Sequence, residues 1–235
     1  MDECLYIKFH DDGTSTDASV HVDDGFLTTS NEIEAGKLLT ELGKIFKLKV
    51  SRGDNINFLG LHFDFNRTTR DVSIIQPDYV SKILGDDMYK MVETPHTTEL
   101  FSINDNAEIL CEQDREKFHI IVARCLYLAL RTRPDILVAT NFLSTRVKKG
   151  TTTSEDRRKL DRLCGYLRST MHLGLRLGAN TEGNFQLFAY ADAAYGVHPD
   201  AKSHSGMFFS FGRGAINVKS CKQKCVTRSS CRPSS

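Results

Sequence analysis

The chain has 235 residues, of which 40% are hydrophobic and 26% are charged, a composition typical of a folded globular protein rather than a disordered one. Its 31 lysines and arginines nearly balance its 30 acids, so net charge alone predicts no class of partner. No apolar run approaches the roughly 18 residues of a membrane-spanning helix, and the acidic N-terminus does not resemble a signal peptide. We therefore expect an intracellular protein, cytoplasmic or nuclear, with no membrane partner.

The odd number of cysteines, seven, argues against a disulfide framework, and Cys4, Cys111, Cys125 and Cys164 are predicted to be reduced packing residues. Cys125 and Cys164 lie among apolar residues at helical spacing. Cys221, Cys225 and Cys231 lie closer together, but no second pair of ligands follows at a spacing typical of zinc sites.

The two signs of charge are segregated along the chain. Residues 1–35 contain nine acids and a single lysine, residues 146–176 contain nine basic residues against three acids, and no acid follows Asp200. Each stretch alone is typical of a solvated surface. Their segregation favours an acidic start that holds metal ions and a basic remainder that follows phosphates.

The first third of the chain predicts strands followed by a helix. Residues 4–9 and 18–29 alternate as strands do, and Asp24-Gly25 between apolar stretches is a strong hairpin signal. Asn31 begins a pattern that resembles a capping box. The expected inward face of the helix consists of Ala35, Leu38, Leu39, Leu42 and Ile45.

Two further strands and a short helix are predicted next. Residues 56–65 and 71–76 alternate around a turn, and Pro77 begins a short amphipathic helix. Residues 93–112 show no periodicity and predict a linker.

Three helices and then three strands complete the predicted order. Phe118 begins the apolar stripe of one helix, Pro134 opens a second, and Ser154 caps a third. The third helix has an apolar face and an arginine face that we expect to be open to solvent. Strands are predicted at 185–193, 206–212 and 215–220. Together these elements predict an α+β fold.

The sharpest local feature is the segment His21-Val22-Asp23-Asp24-Gly25. Two adjacent carboxylates at a hairpin tip repel each other unless a cation neutralises them. A divalent metal would do so, and two-metal sites use such carboxylates in phosphoryl transfer. The alternative is a turn chosen only for its backbone geometry.

Six segments, in this order, resemble copia-type retrotransposon Pol polyproteins. They run from about Leu5 to Ser230 and read HVDDGFL, FLGLHF, QPDYVSKIL, RCLYLALRTRPDILVATNFLS, LCGYLRSTMHLGL and YADAAYG with the strands that follow it. The resemblance implies an RNA-directed DNA polymerase, or reverse transcriptase, with ribonuclease H. The implied fold is a partial reverse-transcriptase palm (1–92), a helical thumb or connection region (93–182) and a truncated ribonuclease H-like domain (183–235).

The resemblance also implies a metal-dependent site. Asp23 and Asp24 match the paired aspartates of the polymerase and are expected to hold Mg²⁺, while a primer 3′-hydroxyl attacks a deoxynucleoside triphosphate. His21 stands where the family has a tyrosine. Asp192 matches the first metal-binding aspartate of ribonuclease H.

Further residues are expected to contact a primer–template, either an RNA/DNA hybrid or a DNA duplex. Phe58, Leu59 and Gly60 match the primer-grip hairpin of the family. The arginine face of the third helix could contact phosphates, although a plain solvated face is an equal alternative. That face consists of Arg157, Arg158, Arg162 and Arg168.

Two sets of residues are given structural roles. Arg131, Arg133, Pro134 and Asp135 match a helix-starting segment, which proline at the first helical position explains without chemistry. His198 and His204 are expected to be exposed turn residues rather than ligands.

Both implied active sites lack carboxylates that the family uses, so we expect the isolated chain to be inactive unless the N-terminal part of the polymerase is supplied. Residues 231–235 read Cys-Arg-Pro-Ser-Ser where the resemblance predicts Cys-Glu-Ala-Glu-Leu. Loss of one G from suitable codons converts the second sequence into the first, so we expect a frame disruption there. Two alternatives remain: a non-catalytic nucleic-acid-binding fragment, and a decayed coding region without selected function.

Overall fold

The computed structural model describes residues 3–179 and 186–226, where strands in antiparallel sheets and five α-helices confirm the predicted α+β class. The predicted start of a strand at Phe185, Cys231 and the frame disruption expected at 231–235 lie outside the described residues. The chain forms two compact units, Met1–Leu61 and His62–Ser235. The division by function at residues 92/93 and 182/183 remains a prediction. Among the described helices, none is both long and apolar enough to cross a membrane.

The first unit is built on an antiparallel sheet with the strand order β1-β2-β3. Apolar and polar residues alternate in β2, where Ala18 and Val20 are separated by Ser19, as expected for a strand with two different faces. The elements are β1 (Leu5–Phe9), β2 (Ser15–His21), β3 (Asp24–Thr29), α1 (Glu32–Gly43) and β4 (Asn55–Phe58).

Helix α1 begins where the sequence predicts. The side chain of Asn31 accepts a hydrogen bond from the backbone N–H of Glu34 at 3.1 Å, which satisfies a donor that the first helical turn leaves unpaired. Ala35 is buried and the three leucines of the predicted face are half-buried. Ile45 lies beyond the helix end and is 75% exposed, so the predicted apolar face extends too far.

Two further antiparallel sheets follow. One has the order β10-β7-β6-β5 and the other β11-β9-β8. The predicted second hairpin forms between β5 and β6, where Asn66 pairs with Asp71. The strands are β5 (Leu61–Asn66), β6 (Asp71–Ile75), β7 (Leu175–Ala179), β8 (Phe188–Ala194), β9 (His204–Ser210), β10 (Gly212–Arg213) and β11 (Asn217–Lys222).

The hydrophobic core of the second unit lies between its helices. They are α2 (Pro77–Leu84), α3 (Glu112–Arg131), α4 (Leu137–Ser144, after a 3-10 turn at Pro134–Ile136) and α5 (Ser154–Ser169). The fully buried side chains include Phe118, Leu128, Leu143, Leu160, Leu163 and Leu167. Cys125 and Cys164 are also fully buried, which confirms their predicted packing role, whereas Cys4 and Cys111 are exposed, so the same prediction is wrong for them.

Helix α5 begins with a complete capping box, shifted by one residue from the predicted cap. The hydroxyl of Thr153 accepts from the backbone N–H of Asp156 at 3.3 Å, and the Asp156 carboxylate accepts from the backbone N–H of Thr153 at 2.9 Å. Ser154 is therefore the first helical residue rather than the cap. A capping box requires an acidic or amide side chain three residues after the cap. Asp156 stands three residues after Thr153, so Thr153 is the cap.

The predicted linker at 93–112 is irregular but not free of the core. Leu100 is 3% exposed, and its carbonyl oxygen accepts a hydrogen bond from Lys159 Nζ of α5 at 3.1 Å. Burial lowers the pKa of Lys159. The segment is thus part of the second unit's packing.

Candidate functional site

The paired aspartates lie at the tip of the β2–β3 hairpin. His21 pairs with Asp24, so the two-residue loop is Val22-Asp23 and not the predicted Asp24-Gly25, a correction to that prediction. In this register Thr16 pairs with Thr29 at the other end of the hairpin, and their hydroxyl oxygens are 2.9 Å apart. Sliding the strands to turn at Asp24-Gly25 would break that contact.

The loop is strained at Val22. This β-branched residue has a φ of 56°, a conformation that glycine or asparagine adopts far more readily, and its side chain is 88% exposed. Gly25 lies within β3 and is not used for a left-handed turn. Backbone geometry therefore does not account for the Asp-Asp-Gly sequence, and strained residues of this kind concentrate at functional sites.

Asp23 and Asp24 are both exposed, and carboxylate oxygens are the ligands that Mg²⁺ prefers. No third acid, histidine or cysteine joins them into a metal-binding cluster within residues 3–179 and 186–226. Mg²⁺ commonly binds one or two carboxylates and completes its shell with water and substrate phosphates. The two aspartates fit such a partial ligand set.

Asp12, which lies in the β1–β2 turn at the opposite end of β2 from the aspartate tip, has a structural role. Its carboxylate accepts hydrogen bonds from the backbone N–H of Thr14 at 2.9 Å and from Asn31 Nδ2 at 2.8 Å. The hydrogen bonds from Thr14 lower the pKa of Asp12. This carboxylate fixes the β1–β2 turn against the start of α1.

The Phe58-Leu59-Gly60 segment forms a tight turn that interrupts the predicted continuous strand at 56–65. Leu59 has a φ of 50° and Gly60 a φ of 74°, the paired left-handed geometry of a type I′ turn. The Phe58 ring packs against Phe26 of β3 with centroids 5.3 Å apart. This contact links the predicted primer-grip residues to the hairpin that carries the aspartates.

Asp192 lies on β8, as expected, and its side chain is exposed. It pairs across the sheet with Gly206, and Tyr190 shares its face. The Tyr190 ring meets Phe208 of β9 edge-on at 5.8 Å. No group of three metal-ligating side chains includes Asp192 in the part of the chain that the structure describes.

The arginine face of α5 is only partly open, which corrects the expectation of solvent exposure. Arg158 is 72% exposed beside Glu155, whereas Arg157 is 28% exposed and donates to Asp161 at 2.7 Å. The other two arginines hold the irregular segment before α3. Arg162 donates to the Thr94 hydroxyl at 2.8 Å, and Arg168 donates to the Tyr89 carbonyl at 3.0 Å. Periodicity could not reveal this packing, because residues 89–94 have no regular structure.

His198 and His204 are 5% and 7% exposed, so the prediction of exposed turn residues is wrong. His198 Nε2 lies 3.1 Å from His204 Nδ1, and His204 Nε2 lies 2.6 Å from the Ser220 hydroxyl. Phe101, from the segment predicted as a linker, packs its ring against both imidazoles. Burial, with His204 as the next cause, lowers the pKa of His198 to about 4.

Arg133 is a buried brace, in line with the structural role expected for its segment. It is 1% exposed, donates to Asp135 Oδ1 at 2.9 Å and donates to the Thr170 carbonyl at 2.9 Å. Its guanidinium lies 5.4 Å from the centroid of the Tyr166 ring.

One charged cluster is not predicted from the sequence. Arg176 Nε and Arg213 Nη1 donate to the same carboxylate oxygen, Asp71 Oδ2, at 2.8 and 3.1 Å. The three residues lie on β7, β10 and β6 and are far apart along the chain. Only the sheet register brings them together, so no local sequence signal could have identified them.

Comparison with known proteins identifies relatives over nearly the whole chain. It is 28% identical over 211 residues to an uncharacterized mitochondrial protein, AtMg00810, of Arabidopsis thaliana, covering 90% of this chain and 85% of that protein. It is 27% identical over 237 residues to the retrovirus-related Pol polyprotein from transposon TNT 1-94 of Nicotiana tabacum, covering 97% of this chain and 17% of the polyprotein.

A third relative covers less of the chain. The secreted RxLR effector protein 161 of Plasmopara viticola is 33% identical over 110 residues, which are 46% of this chain and 75% of that protein. No protein-family model and no solved structure matches the sequence. The chain is thus homologous over nearly its whole length to a retrotransposon Pol polyprotein, which confirms the resemblance that the sequence motifs indicate.

Proposed function

We propose that the chain supplies the metal-binding hairpin, the thumb or connection region and the first strands of the ribonuclease H domain of a copia-type reverse transcriptase. Its substrates would be a primer–template and deoxynucleoside triphosphates, and its reaction would be phosphoryl transfer to the primer 3′-hydroxyl. The chain spans 17% of the tobacco polyprotein, so the remaining polymerase elements would be supplied by other Pol sequence.

The observation that carries this proposal is the strained carboxylate hairpin. Two exposed acids lie together at its tip, and the left-handed backbone position is occupied by Val22 rather than by Gly25. Turn formation alone would favour glycine at that position. A functional role for this tip would account both for the strain at Val22 and for the charge repulsion between Asp23 and Asp24.

Asp23 and Asp24 would hold Mg²⁺ in this proposal. The bound ion would neutralise charge on the phosphates and lower the pKa of the attacking hydroxyl. The Phe58–Phe26 contact supports the site by packing the Leu59-Gly60 turn against the same hairpin. Because Gly60 has no side chain, a primer strand could approach its backbone closely.

Asp192 would contribute one ligand to ribonuclease H in the same polyprotein. Its exposure and its position opposite Gly206 leave the carboxylate accessible on the sheet face. Arg158 is the member of the α5 arginine face with the most exposed guanidinium, so it is the best candidate there for a phosphate contact.

The proposal can be tested in a chimera in which this chain replaces the matching segment of a related, active Pol polyprotein. Template-dependent nucleotide incorporation should be abolished by Asp23→Asn with Asp24→Asn. It should persist in a charge-matched control, Asp86→Asn with Asp105→Asn, since both control acids are exposed and lie outside the hairpin. Equal incorporation by the unmodified chimera and the hairpin variant would contradict the proposal.

A further inference from the structure

The cluster of Asp71, Arg176 and Arg213 carries an excess of positive charge. The Asp71 side chain is 2% exposed, whereas those of Arg176 and Arg213 are 62% and 58% exposed. Two guanidinium groups share one carboxylate, so the cluster has a net charge of +1. The exposed part of the cluster is formed by the two arginines. The hydrogen bonds to Asp71 use two N–H donors of Arg176 and one of Arg213, out of five on each guanidinium.

The sheet register explains how the cluster forms. Asp71 on β6 pairs with Gly178 on β7, and Gly178 pairs in turn with Arg213 on β10. Because Gly178 has no side chain, the carboxylate and the guanidinium can meet across it. A Cβ built at Gly178 would lie 3.4 Å from Asp71 Cβ and 3.5 Å from Arg213 Cδ.

The same arginines line an open cleft of about 760 Å³ beside an aromatic side chain. Phe208 lines the cleft and is 37% exposed. Its ring meets Tyr190, which is 61% exposed, at 5.8 Å. Leu175 and Pro134 extend the apolar lining.

Backbone segments pack closely together along the wall of the cleft. Gly214 has a φ of +71°, and a Cβ there would overlap the Arg176 carbonyl oxygen. A Cβ at Gly174 would overlap the Ile74 carbonyl oxygen in the same way. These close backbone approaches fix the strand that carries Arg176.

This arrangement matches the chemistry of a nucleotide. Guanidinium groups bind phosphate through paired N–H donors, and an exposed aromatic ring provides a stacking surface for a base. An open cleft, unlike an enclosed pocket, allows a polymer to pass through. A phosphopeptide would use the arginines but would have no need of the aromatic surface.

We propose that the cleft lined by Arg176, Arg213 and Phe208 binds a nucleotide unit of a single-stranded nucleic acid, with a phosphate on the guanidiniums and a base on the Phe208 ring. The choice of nucleic acid as the partner rests on the proposed function. The site itself is separate from the aspartate hairpin and from the arginine face of α5, and its binding requires no metal.

The test is fluorescence anisotropy of a labelled oligo(dT) with the full chain, over a salt series in EDTA. Arg213→Ala should weaken binding and lower the salt slope by about 0.7, one phosphate contact on a single strand. Asp71 remains paired with Arg176 in this variant, so the fold is retained. Phe208→Leu should weaken binding about tenfold, while Phe208→Tyr should keep the stacking ring and restore affinity.

A control variant separates this site from general electrostatic attraction. Lys117→Ala removes an exposed charge on α3 and should leave oligo(dT) affinity within about twofold, since Lys117 does not line the cleft. Thermal melting confirms that each variant is folded. A photoreactive 5-iodouracil oligonucleotide should crosslink to Phe208 or Tyr190.

Several outcomes would overturn the proposal: no binding by the unmodified chain, unchanged binding in Arg213→Ala or Phe208→Leu, or equal weakening by Lys117→Ala. Competition by free thymidine triphosphate as strong as that by the oligonucleotide would assign the cleft to mononucleotides and contradict a strand-binding site. Because the assay contains EDTA, failure here would leave metal binding at Asp23 and Asp24 unaffected. Likewise, if Asp23 and Asp24 were found not to bind metal, the measured oligonucleotide binding to the cleft would be unaffected.

Discussion

At the end of β10, Gly214 combines a left-handed backbone with the closest backbone approach of any glycine in the described residues. Its φ is +71°, and the Arg176 carbonyl oxygen occupies the space that a Cβ would need, so no side chain fits there. The residue therefore sets the position of Arg176 through the main chain rather than through a side-chain contact.

Gly214→Ala should lower the free energy of unfolding by about 1 to 3 kcal/mol, because alanine adds both backbone strain and a steric clash. Gly206→Ala is the matched control, since Gly206 lies on β9, the preceding strand along the chain, and a Cβ there meets only the Asp192 carbonyl oxygen at 4.0 Å. Urea denaturation followed by circular dichroism measures both. Equal stability of the two variants would show that the Gly214 backbone is free to relax.

The buried histidine pair predicts a dependence of stability on pH. The pKa of His198 is lowered to about 4 from 6.5, chiefly by burial, so the folded chain stays neutral at this residue while the unfolded chain gains a proton. Folding stability is therefore complete above about pH 6.5, declines as the pH falls towards 4, and declines no further from this group below 4. Burial also lowers the pKa of His204, which acts in the same direction.

The expected loss between pH 7 and pH 4.5 is on the order of 2 kcal/mol from His198. His198→Gln removes the titrating group and should flatten the decline in that interval. Denaturation midpoints at closely spaced pH values provide the measurement. A decline of the same size in the variant would assign the pH dependence to other groups.

At the scale of elements, the start of α5 depends on Thr153. Its hydroxyl and its backbone N–H both bond to Asp156, which is 3% exposed and also accepts from Arg146 Nε at 3.1 Å. The cap thus joins the helix terminus to the loop that precedes it.

Thr153→Ala should lower the free energy of unfolding by about 1 kcal/mol, because it removes the acceptor for the Asp156 N–H. Ser154→Ala should change stability by a few tenths of a kcal/mol or less, since Ser154 is a first-turn helical residue and alanine is a good helix former. Thermal unfolding of the two variants compares them directly. If Ser154→Ala lowered the free energy of unfolding more than Thr153→Ala does, Ser154 would be the cap, as the sequence predicts.

Sequence patterns correctly predict the elements that form between residues close together along the chain. The helices at Pro77–Leu84 and Glu112–Arg131 and the β5–β6 hairpin form where periodicity and proline place them. The hairpin tip is misplaced because the register, which pairs Thr16 with Thr29 and His21 with Asp24, involves the whole length of both strands and not the turn residues alone. Strand β7 is missed because its partners come from both earlier and later in the chain.

The candidate site follows the same division. The sequence identifies Asp23 and Asp24 as a chemical feature, and both lie exposed at the hairpin tip, although their metal-binding role stays a prediction. It could not show that Arg162 and Arg168 are engaged by the irregular segment, nor that Arg176 and Arg213 share Asp71. Those contacts depend on tertiary packing between residues distant along the chain.

At the scale of the whole molecule, the buried apolar residues are distributed unevenly between the two units. Most of them lie in the helices of the second unit, whereas Ala35 is the buried hydrophobic residue of the first unit within the described range. Several large side chains of β1 are exposed, including Tyr6 at 61% and Phe9 at 80%. Less buried apolar area gives the first unit less hydrophobic stabilisation.

We therefore expect amide hydrogen exchange to be faster in β1–β3 than in α3 and α5. Leu163→Ala should destabilise the second unit by about 2 to 5 kcal/mol, because Leu163 is fully buried, and should leave exchange in β1–β3 unchanged. Mass-spectrometric exchange of both proteins measures this. Uniform protection across the two units, or a uniform loss in the variant, would indicate a single cooperative structure.

Mn²⁺ binding to the chain, monitored by paramagnetic broadening of amide NMR signals, tests directly whether Asp23 and Asp24 hold a divalent metal. Mn²⁺ favours the same oxygen ligands as Mg²⁺ and broadens signals close to where it binds. We expect selective broadening of residues 21–25, loss of that broadening in Asp23→Asn with Asp24→Asn, and its persistence in Asp86→Asn with Asp105→Asn. Broadening that is absent from the hairpin, or that is unchanged in the hairpin variant, would contradict the assignment of Asp23 and Asp24 as the metal ligands.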